Sequence, residues 1–168
     1  MLRNDSYITK HRRASEEEEM QIFEYFESGN NKWIERIREC DWGAAKFLAE
    51  LLENGSFHKT LGEGSLFMMT DGERLVSFCT LTHRDCVDDE SLFPWIGFVF
   101  TAPEYRGRRY SGELIELACE KAKVQGFESV YIATDHVGLY EKYGFEYIES
   151  RVDIYDEMSR VYCRKIKE

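Results

Sequence analysis

The chain has 168 residues, of which 43% are apolar and 14% aromatic, and this is enough to bury the core of one ordinary domain. Its 22 basic and 32 acidic side chains leave a net charge of -10, which disfavours nucleic acid or an anionic membrane as a partner and attracts cations. The same charge also keeps a protein soluble, which is the simpler explanation.

No targeting, membrane or metal motif is visible in the sequence. The longest apolar runs, such as IGFVF, are a few residues long, whereas a membrane span needs about 20, and the opening MLRNDSYITK has no apolar signal core. We therefore expect a cytoplasmic protein. The cysteines form no Cys-x-x-Cys pair and the histidines no His-Glu-x-x-His motif, so we expect reduced thiols and no metal.

The first third of the chain predicts a short strand followed by helices. Residues 7–9 favour a strand, and Ser15 with Glu18 forms a capping box for a helix that we expect to run to about Ser28. Apolar residues then recur at helical spacing, with a break at the sequence DWG and an end at the sequence NG. These apolar positions are Ile34, Ile37, Ala44, Leu48 and Leu51.

Strands and helices alternate in the rest of the chain. Two apolar runs separated by Asp71-Gly72, a typical hairpin turn, predict antiparallel strands at 65–70 and 73–83. After the acidic loop RDCVDDE, the strand PWIGFVFT leads through a turn into an amphipathic helix that ends near Gly126. A strand SVYIAT, a short helix GLYEKY and two strands around EYIESRV and RVYCRKI follow. This order predicts a mixed α/β fold with a meander before the central strand.

The turn RGRRYSG, residues 106–112, lies where the central strand gives way to the long helix. A helix N-terminus has unpaired N–H groups and a partial positive charge, so this turn suits a phosphate or pyrophosphate. It lacks the patterns of nucleotide hydrolases and of dinucleotide-binding domains. Surface salt bridges are the alternative role for its arginines. The arginines are Arg106, Arg108 and Arg109, and the small residues that permit close approach are Gly107, Ser111 and Gly112.

Two segments resemble signatures of the GCN5-related N-acetyltransferases (the GNAT family). PEYRGRRYSGEL is similar to the family's acetyl-CoA pyrophosphate loop, and GLYEKYGFEY is similar to its Leu-Tyr-x-Lys-x-Gly-Phe signature. The resemblance covers about residues 63–165. Arg109 departs from it, since it stands where the family usually has glycine. It either clashes with the diphosphate or points outward and adds a phosphate contact, and we favour the second, because arginine is a strong phosphate partner.

The resemblance implies one acetyltransferase domain, residues 1–168, with a mixed, mostly antiparallel sheet and flanking helices. Residues 1–60 would form the acceptor side and residues 61–168 the acetyl-CoA-binding core. The turn from Arg106 to Gly112, including Tyr110, would hold the diphosphate of the cosubstrate. Backbone amides would bind the pantetheine arm and polarise the thioester. By resemblance these amides belong to Phe98, Val99, Phe100 and Thr101.

Tyr140 occupies the family position of the acid that protonates the leaving thiolate. The pKa of a tyrosine is roughly 10 and that of a thiol roughly 8.5, which suits this transfer. Alternatively its ring only packs between helix and sheet. The attacking amine must also lose a proton, and no motif selects the base. The candidates are His83, Asp85, Asp88, Asp89, Glu90, Asp135 and His136, the last of which could share a helix face with Tyr140.

The resemblance implies a small-molecule or peptide amine as the acceptor, and the acidic balance favours a cationic one. We expect direct attack in a ternary complex, since no cysteine has a histidine partner at a recognisable spacing. The rival functions are a non-catalytic acyl-CoA-binding sensor of the same fold and an α/β domain that binds no CoA. Several N-terminal aromatic residues belong to the core, to an acceptor cleft or to a homodimer face. They are Phe23, Tyr25, Phe26, Trp33 and Trp42.

Overall fold

The computed structural model describes residues 19–167, so the predicted strand at 7–9 and the capping box at Ser15 lie outside it. Its strands form one sheet in the order β1-β2-β3-β4-β5-β7-β6, in which only β4 and β5 run parallel within the described range. The strands are β1 (Met20–Glu24), β2 (Gly64–Asp71), β3 (Arg74–Thr82), β4 (Trp95–Thr101), β5 (Ser129–Thr134), β6 (Glu146–Val152) and β7 (Met158–Lys165). The predicted mixed, mostly antiparallel sheet is confirmed.

Helices flank this sheet, as predicted. The α-helices are α1 (Tyr25–Ser28), α2 (Lys32–Arg38), α3 (Gly43–Glu53), α4 (Phe57–Leu61) and α5 (Tyr110–Val124), and 3-10 turns lie at Pro103–Tyr105 and Tyr140–Tyr143. The break between α2 and α3, the hairpin at Asp71-Gly72 and the end of α5 before Gly126 all match the sequence patterns. No helix in residues 19–167 is long and apolar enough to cross a membrane.

One predicted element is wrong. We expected a helix up to about Ser28, but Met20–Glu24 is an edge strand that pairs with β2, and the helix begins only at Tyr25. The open edge of β2 supplies partners for this backbone, which a helix would otherwise have to satisfy internally. The Glu24 carboxylate adds to this edge by accepting a hydrogen bond from the Leu66 N–H at 2.9 Å. Tertiary pairing therefore outweighs the local helix signal.

Two hydrophobic layers cover the two faces of the sheet. Along β2, Leu66 and Met68 pack with the core residues of α2 to α4, while Phe67 and Met69 pack with those of α5. This alternation follows from the two-residue period of a strand. Because both faces are covered, β2 and β3 are apolar along nearly their whole length, unlike strands with one solvated face.

The central strand β4 bends and separates from β5. A register shift between Phe78 and Thr80 marks a bulge, and Phe98 on the bulged strand has a φ of 50°. Strands β4 and β5 pair through Trp95 and Tyr131, and no later pair joins them in the part of the chain that the structure describes. Beyond Trp95 a gap opens between the two strands. The backbone groups of β4 that face β5 are therefore not paired with β5 there.

Candidate active site

A cavity of about 810 Å³ lies where β4 separates from β5, at the start of α5. We call it the first cavity. Its lining includes most of the residues that the sequence assigned to the cosubstrate, together with Tyr140: Val99, Phe100, Thr101, Arg106, Gly107, Arg109, Tyr110 and Ser111. Phe98, Arg108 and Gly112 lie outside this lining. The two sequence signatures, about 30 residues apart along the chain, thus meet around one space.

The turn before α5 has the backbone shape of an anion site. Gly107 has a φ of 85°, and Arg109, the N-cap of the helix, has φ 62° and ψ 27°. Glycine adopts this left-handed conformation freely, whereas an arginine pays roughly 1–2 kcal/mol for it. The first N–H groups of a helix have no partner within it. Helix α5 therefore presents its positive end to the first cavity.

The three arginines of the turn point in different directions. Arg106 donates from Nε to the Thr101 carbonyl at 2.8 Å, so it is tied to the end of β4. The Arg109 guanidinium lies 5.2 Å from the centre of the Tyr143 ring, on the wall of the first cavity. The Arg108 guanidinium lies 5.9 Å from the Tyr105 ring, and Arg108 itself is not among the residues that line the cavity. Two of the three positive charges thus border the cavity.

Tyr140 lies at the inner wall of the first cavity and is only 6% exposed. Its ring packs edge-on against Phe145 at 6.3 Å. Burial, with smaller contributions from Cys79 and Tyr143, raises the pKa of Tyr140 far above its ordinary value. The phenol therefore stays protonated at neutral pH and can donate its proton. The Tyr140 ring therefore both packs in the core and lines the cavity, so its packing does not exclude the role of general acid that the resemblance implies.

His136 and Tyr140 do not share a helix face, a possibility that their spacing had left open. The 3-10 turn begins at Tyr140, and Gly138, with a φ of 87°, separates it from His136. His136 lies in the preceding loop, where its N–H donates to Thr134 Oγ1 at 3.0 Å. Both side chains nonetheless line the first cavity.

A second cavity, of about 850 Å³, lies on the other side of the β4 bulge. Phe98 lines it, whereas the adjacent Val99 lines the first cavity, and Trp42 lines both. Its wall also carries His83, Arg84 and many acidic groups, which make the second cavity strongly negative. The acidic groups are Asp85, Asp88, Asp89, Glu90, Asp135, Asp153 and Glu157.

The turn between β6 and β7 closes one side of the second cavity. The Ile154 N–H donates to the Cys86 carbonyl at 2.8 Å and joins this turn to the loop before β4. Asp153 holds the turn in shape, because its Oδ1 accepts from the N–H groups of Tyr155 at 2.9 Å and Glu157 at 3.0 Å. The sequence did not reveal this wall, since no local pattern links two loops so far apart along the chain.

Most of the N-terminal aromatic residues belong to the core. Trp33 is 5% exposed, and Phe23 packs against it with 6.1 Å between ring centres. Of the five aromatics named above, only Trp42 lines the first or the second cavity, and its ring stacks on Phe100 at 5.7 Å. Phe47, which the sequence did not single out, lines the second cavity and stacks on Phe98 at 6.4 Å.

The candidate bases differ sharply in their surroundings. Hydrogen bonds from Ser91, then Arg151, lower the pKa of Asp89 to about 2. His83 packs on the Phe93 ring at 4.3 Å. Burial raises the pKa of Asp85 to about 6. In residues 19–167 no group of three or more His, Cys, Asp or Glu side chains is arranged to hold a metal ion.

A family model, the Acetyltransferase (GNAT) domain, matches residues 10–148 of the chain. No curated protein matches the chain. Among solved structures, an acetyltransferase from Streptococcus agalactiae is 20% identical with a TM-score of 0.63, and the alignment covers 87% of this chain and 98% of that one.

Two further solved structures contain the cosubstrate or its product. A GNAT family acetyltransferase from Elizabethkingia anophelis with acetyl-CoA bound is 14% identical with a TM-score of 0.61, covering 87% of this chain and 97% of that one. An aminoglycoside 6'-N-acetyltransferase complexed with coenzyme A is 13% identical with a TM-score of 0.63, covering 88% and 98%. At such identities the likeness shows the fold. The family model spans well over half of the sequence, and the chain therefore belongs to the GNAT acetyltransferase family.

Proposed function

We propose that the protein transfers the acetyl group of acetyl-CoA to a primary amine of a cationic small molecule, by direct attack in a ternary complex. One observation carries the proposal: two cavities flank the β4 bulge, one lined by the pyrophosphate turn and the other by carboxylates, and Trp42 borders both. A direct transfer needs two substrates held face to face at one point. In this reading residues 1–60 contribute the acceptor side through Trp42 and Phe47.

The first cavity fits acetyl-CoA, which supplies an activated thioester when bound. The start of α5, with Arg106 and Arg109, would hold the diphosphate, and Ser111 leaves space beside the backbone. The open edge of β4 from Phe98 to Thr101 would offer N–H donors to the pantetheine arm and to the thioester oxygen. Donors placed where an oxyanion develops contribute roughly 3–4 kcal/mol in other acyl transfers.

Tyr140 would supply the proton that the departing sulfur needs. Its buried hydroxyl lies in the lining of the first cavity, and its raised pKa keeps it protonated. A thiol has a pKa of roughly 8.5, which is below the raised pKa of Tyr140, so proton transfer from Tyr140 to a free thiolate is unfavourable. The transfer is favourable only when it accompanies the departure of the sulfur. We therefore assign the tyrosine to that step as a general acid.

The second cavity fits an amine with positive charge. Its acidic groups outnumber the single arginine, and its walls include the rings of Phe47 and Phe98. Carboxylates attract cations over a Debye length of about 10 Å, and aromatic faces bind ammonium groups at close range. One of the solved structures of the same fold is an aminoglycoside 6'-N-acetyltransferase complexed with coenzyme A, which agrees with a small-molecule acceptor.

The test measures CoA release with a thiol-reactive dye. The amines are cadaverine, spermidine, kanamycin and a short peptide with a free N-terminus and one lysine, each supplied with acetyl-CoA. We expect release that depends on the amine, and faster release with the small cations than with the peptide. Stabilisation by acetyl-CoA without release for any amine would contradict the enzyme and favour a sensor. Faster turnover of the peptide would contradict the small-molecule acceptor.

A further inference from the structure

We infer that Asp85 is the catalytic base, whose carboxylate removes a proton from the acceptor's ammonium group before the nitrogen attacks. The inference rests on the proposed function and assigns the one chemical role that the two GNAT signatures leave open. An alkylammonium has a pKa of roughly 10.4, so the nucleophile is almost wholly protonated at neutral pH. A group at the reaction point must therefore accept that proton.

Asp85 lines the second cavity and lies against the central strand beside the β4 bulge. Its Oδ1 is 2.7 Å, and its Cγ 3.3 Å, from the position that a β-carbon on Gly97 would take. Gly97 precedes Phe98, the bulged residue that lines the second cavity, and Val99 then lines the first. The carboxylate thus reaches the strand within two residues of the proposed thioester site.

The polar surroundings of this point are incomplete. Thr80 pairs with Gly97 across β3 and β4, and its Oγ1 lies 3.3 Å from the same β-carbon position. This hydroxyl is fully buried and has no hydrogen-bond partner within residues 19–167. Thr80 is not among the residues that line either cavity. Of these two side chains, only Asp85 borders the second cavity, where an amine could approach it.

Among residues 19–167, no arginine is paired with Asp85. The side chain of Arg84 is used elsewhere, because its Nε and Nη2 donate to the carbonyls of Thr60 at 3.2 Å and Lys59 at 3.0 Å. Arg151 binds Asp89 at 3.0 Å and Glu149. In the absence of such a partner, burial raises the pKa of Asp85 to about 6, which brings it closer to that of the ammonium.

The other carboxylates of the second cavity are less suited to this role. Asp89 is held by Arg151, and Asp153 is occupied by backbone N–H groups of its own turn. The remaining four, Asp88, Glu90, Asp135 and Glu157, are exposed to solvent and line the rim. Only Asp85 combines partial burial, an approach to β4 and a raised pKa.

The step balances as follows. Asp85 takes one proton from the ammonium, and the freed nitrogen lone pair forms the C–N bond while the carbonyl π pair moves onto oxygen. Collapse breaks the C–S bond, whose electron pair leaves on sulfur. The sulfur takes the Tyr140 proton, the tyrosinate regains one from the nitrogen, and Asp85 releases its proton to water. The products are an amide, a free CoA thiol and one proton.

Several titratable groups share the lining of the second cavity with Asp85. On its own loop these are His83, Arg84, Cys86, Asp88, Asp89 and Glu90, and on the turn between β6 and β7 they are Asp153, Tyr155 and Glu157. Cys86 also donates hydrogen bonds to the Asp85 carboxylate. Charge on Asp85 raises the pKa of Cys86, where burial is the main cause, and contributes in the same direction at Tyr155. Asp135 lines the same cavity from the end of β5.

The experiment compares Asp85→Asn with Asp156→Asn, which also removes one carboxylate but lies on the neighbouring turn outside both linings. The substrate is whichever of cadaverine, spermidine and kanamycin gives the fastest CoA release. We expect Asp85→Asn to lower kcat/KM at neutral pH by roughly 100- to 10,000-fold, with the larger part in kcat. Asp156→Asn should stay within about twofold, as is usual for surface changes.

A pH series adds a readout that a purely structural role would not move. In the native protein kcat/KM should fall below about pH 6, whereas in Asp85→Asn it should keep rising about tenfold per pH unit as bulk water deprotonates the amine. Acetyl-CoA should raise the melting temperature of both equally, which shows an intact fold. If the native protein is active and the Asp85→Asn variant is equally active, only the assignment of Asp85 as the base is overturned. An inactive native protein with every amine overturns the proposed function itself.

Discussion

Oδ1 of Asp85 lies only 2.7 Å from the place where a side chain on Gly97 would begin. This contact, rather than any unusual backbone angle, is what requires glycine in the middle of β4, since Gly97 is absent from the residues with positive φ. Gly97→Ala should push the carboxylate away from the strand. We expect kcat/KM to fall roughly 10- to 100-fold, because a misplacement near 1 Å has effects of that size. Overpacking should also cost about 1–3 kcal/mol of stability.

Steady-state kinetics on Gly97→Ala, with urea unfolding of the same sample, checks both effects. Unchanged kinetics would mean that the carboxylate at this position has no part in the reaction.

Asp85→Asn should stabilise the protein at alkaline pH. The folded pKa of about 6 lies above the ordinary value of 3.8, so the folded state binds this proton more tightly than the unfolded chain. The stability that this bound proton contributes is complete below the pKa of the unfolded state. It is lost as the pH rises through the pKa of the folded state. At about pH 8 the charged group therefore costs the fold about 1–3 kcal/mol, which asparagine should restore.

Urea unfolding of the native protein and of Asp85→Asn at two pH values tests whether the substitution is stabilising. The gain should shrink at about pH 4.5, where the native carboxyl is largely protonated. A variant less stable than the native protein at the higher pH would identify Asp85 as a structural group instead.

Tyr140→Phe should lower kcat and leave KM for acetyl-CoA nearly unchanged. The ring keeps its packing against Phe145, so only the hydroxyl is lost. Loss of a general acid typically costs roughly 100- to 10,000-fold in rate. Because burial raises the pKa of Tyr140, the native rate should show no loss from tyrosine ionisation up to about pH 9. A variant with native kcat would leave the ring with a packing role alone.

Arg109→Gly should be more stable than Arg109→Ala by about 1 kcal/mol. Both substitutions remove the contact with the Tyr143 ring, but only alanine keeps a β-carbon at a φ of 62°. If Arg109 also contacts the diphosphate, both should weaken acetyl-CoA binding by a similar factor. Thermal unfolding with and without acetyl-CoA measures both effects. Equal stability of the two variants would contradict strain at this position.

Glu157→Gln should raise KM for a cationic amine by about two- to fivefold at low salt, because it removes one carboxylate from the rim of the second cavity. The difference should disappear at about 0.5 M salt, where the screening length is only a few ångströms. KM for acetyl-CoA should not change, since Glu157 is outside the first cavity. A salt-independent effect would indicate a steric cause.

Sequence reasoning located the first cavity because its signals are local. The turn around Gly107 and Arg109 combines a backbone requirement, small residues and charge within a few positions, and the Tyr140 segment has its own signature. The hairpin at Asp71-Gly72 was found for the same reason.

The second cavity could be predicted only in part. Its acidic loop and Trp42 were noticed, but the wall joined by Ile154 and Cys86 depends on two loops that only the complete sheet brings together. Strand β1 was missed on similar grounds, since the open edge of β2 rather than the local pattern determines its conformation. No local pattern distinguishes Asp85 from the other candidate bases, because its burial beside Gly97 depends on the complete fold.

The position of Trp42 has a consequence for cooperativity. Its indole stacks on Phe100 with an interplanar angle of 14° and forms a common wall of two chambers. If a ligand in one cavity displaces the Trp42 ring, the shape of the other cavity changes as well. If binding of one substrate changes the affinity for the other by some factor, binding of the other changes the affinity for the first by the same factor. This holds because the coupling free energy is reciprocal. Under the proposed function, a displacement of this one side chain would link the binding of acetyl-CoA to the binding of the amine.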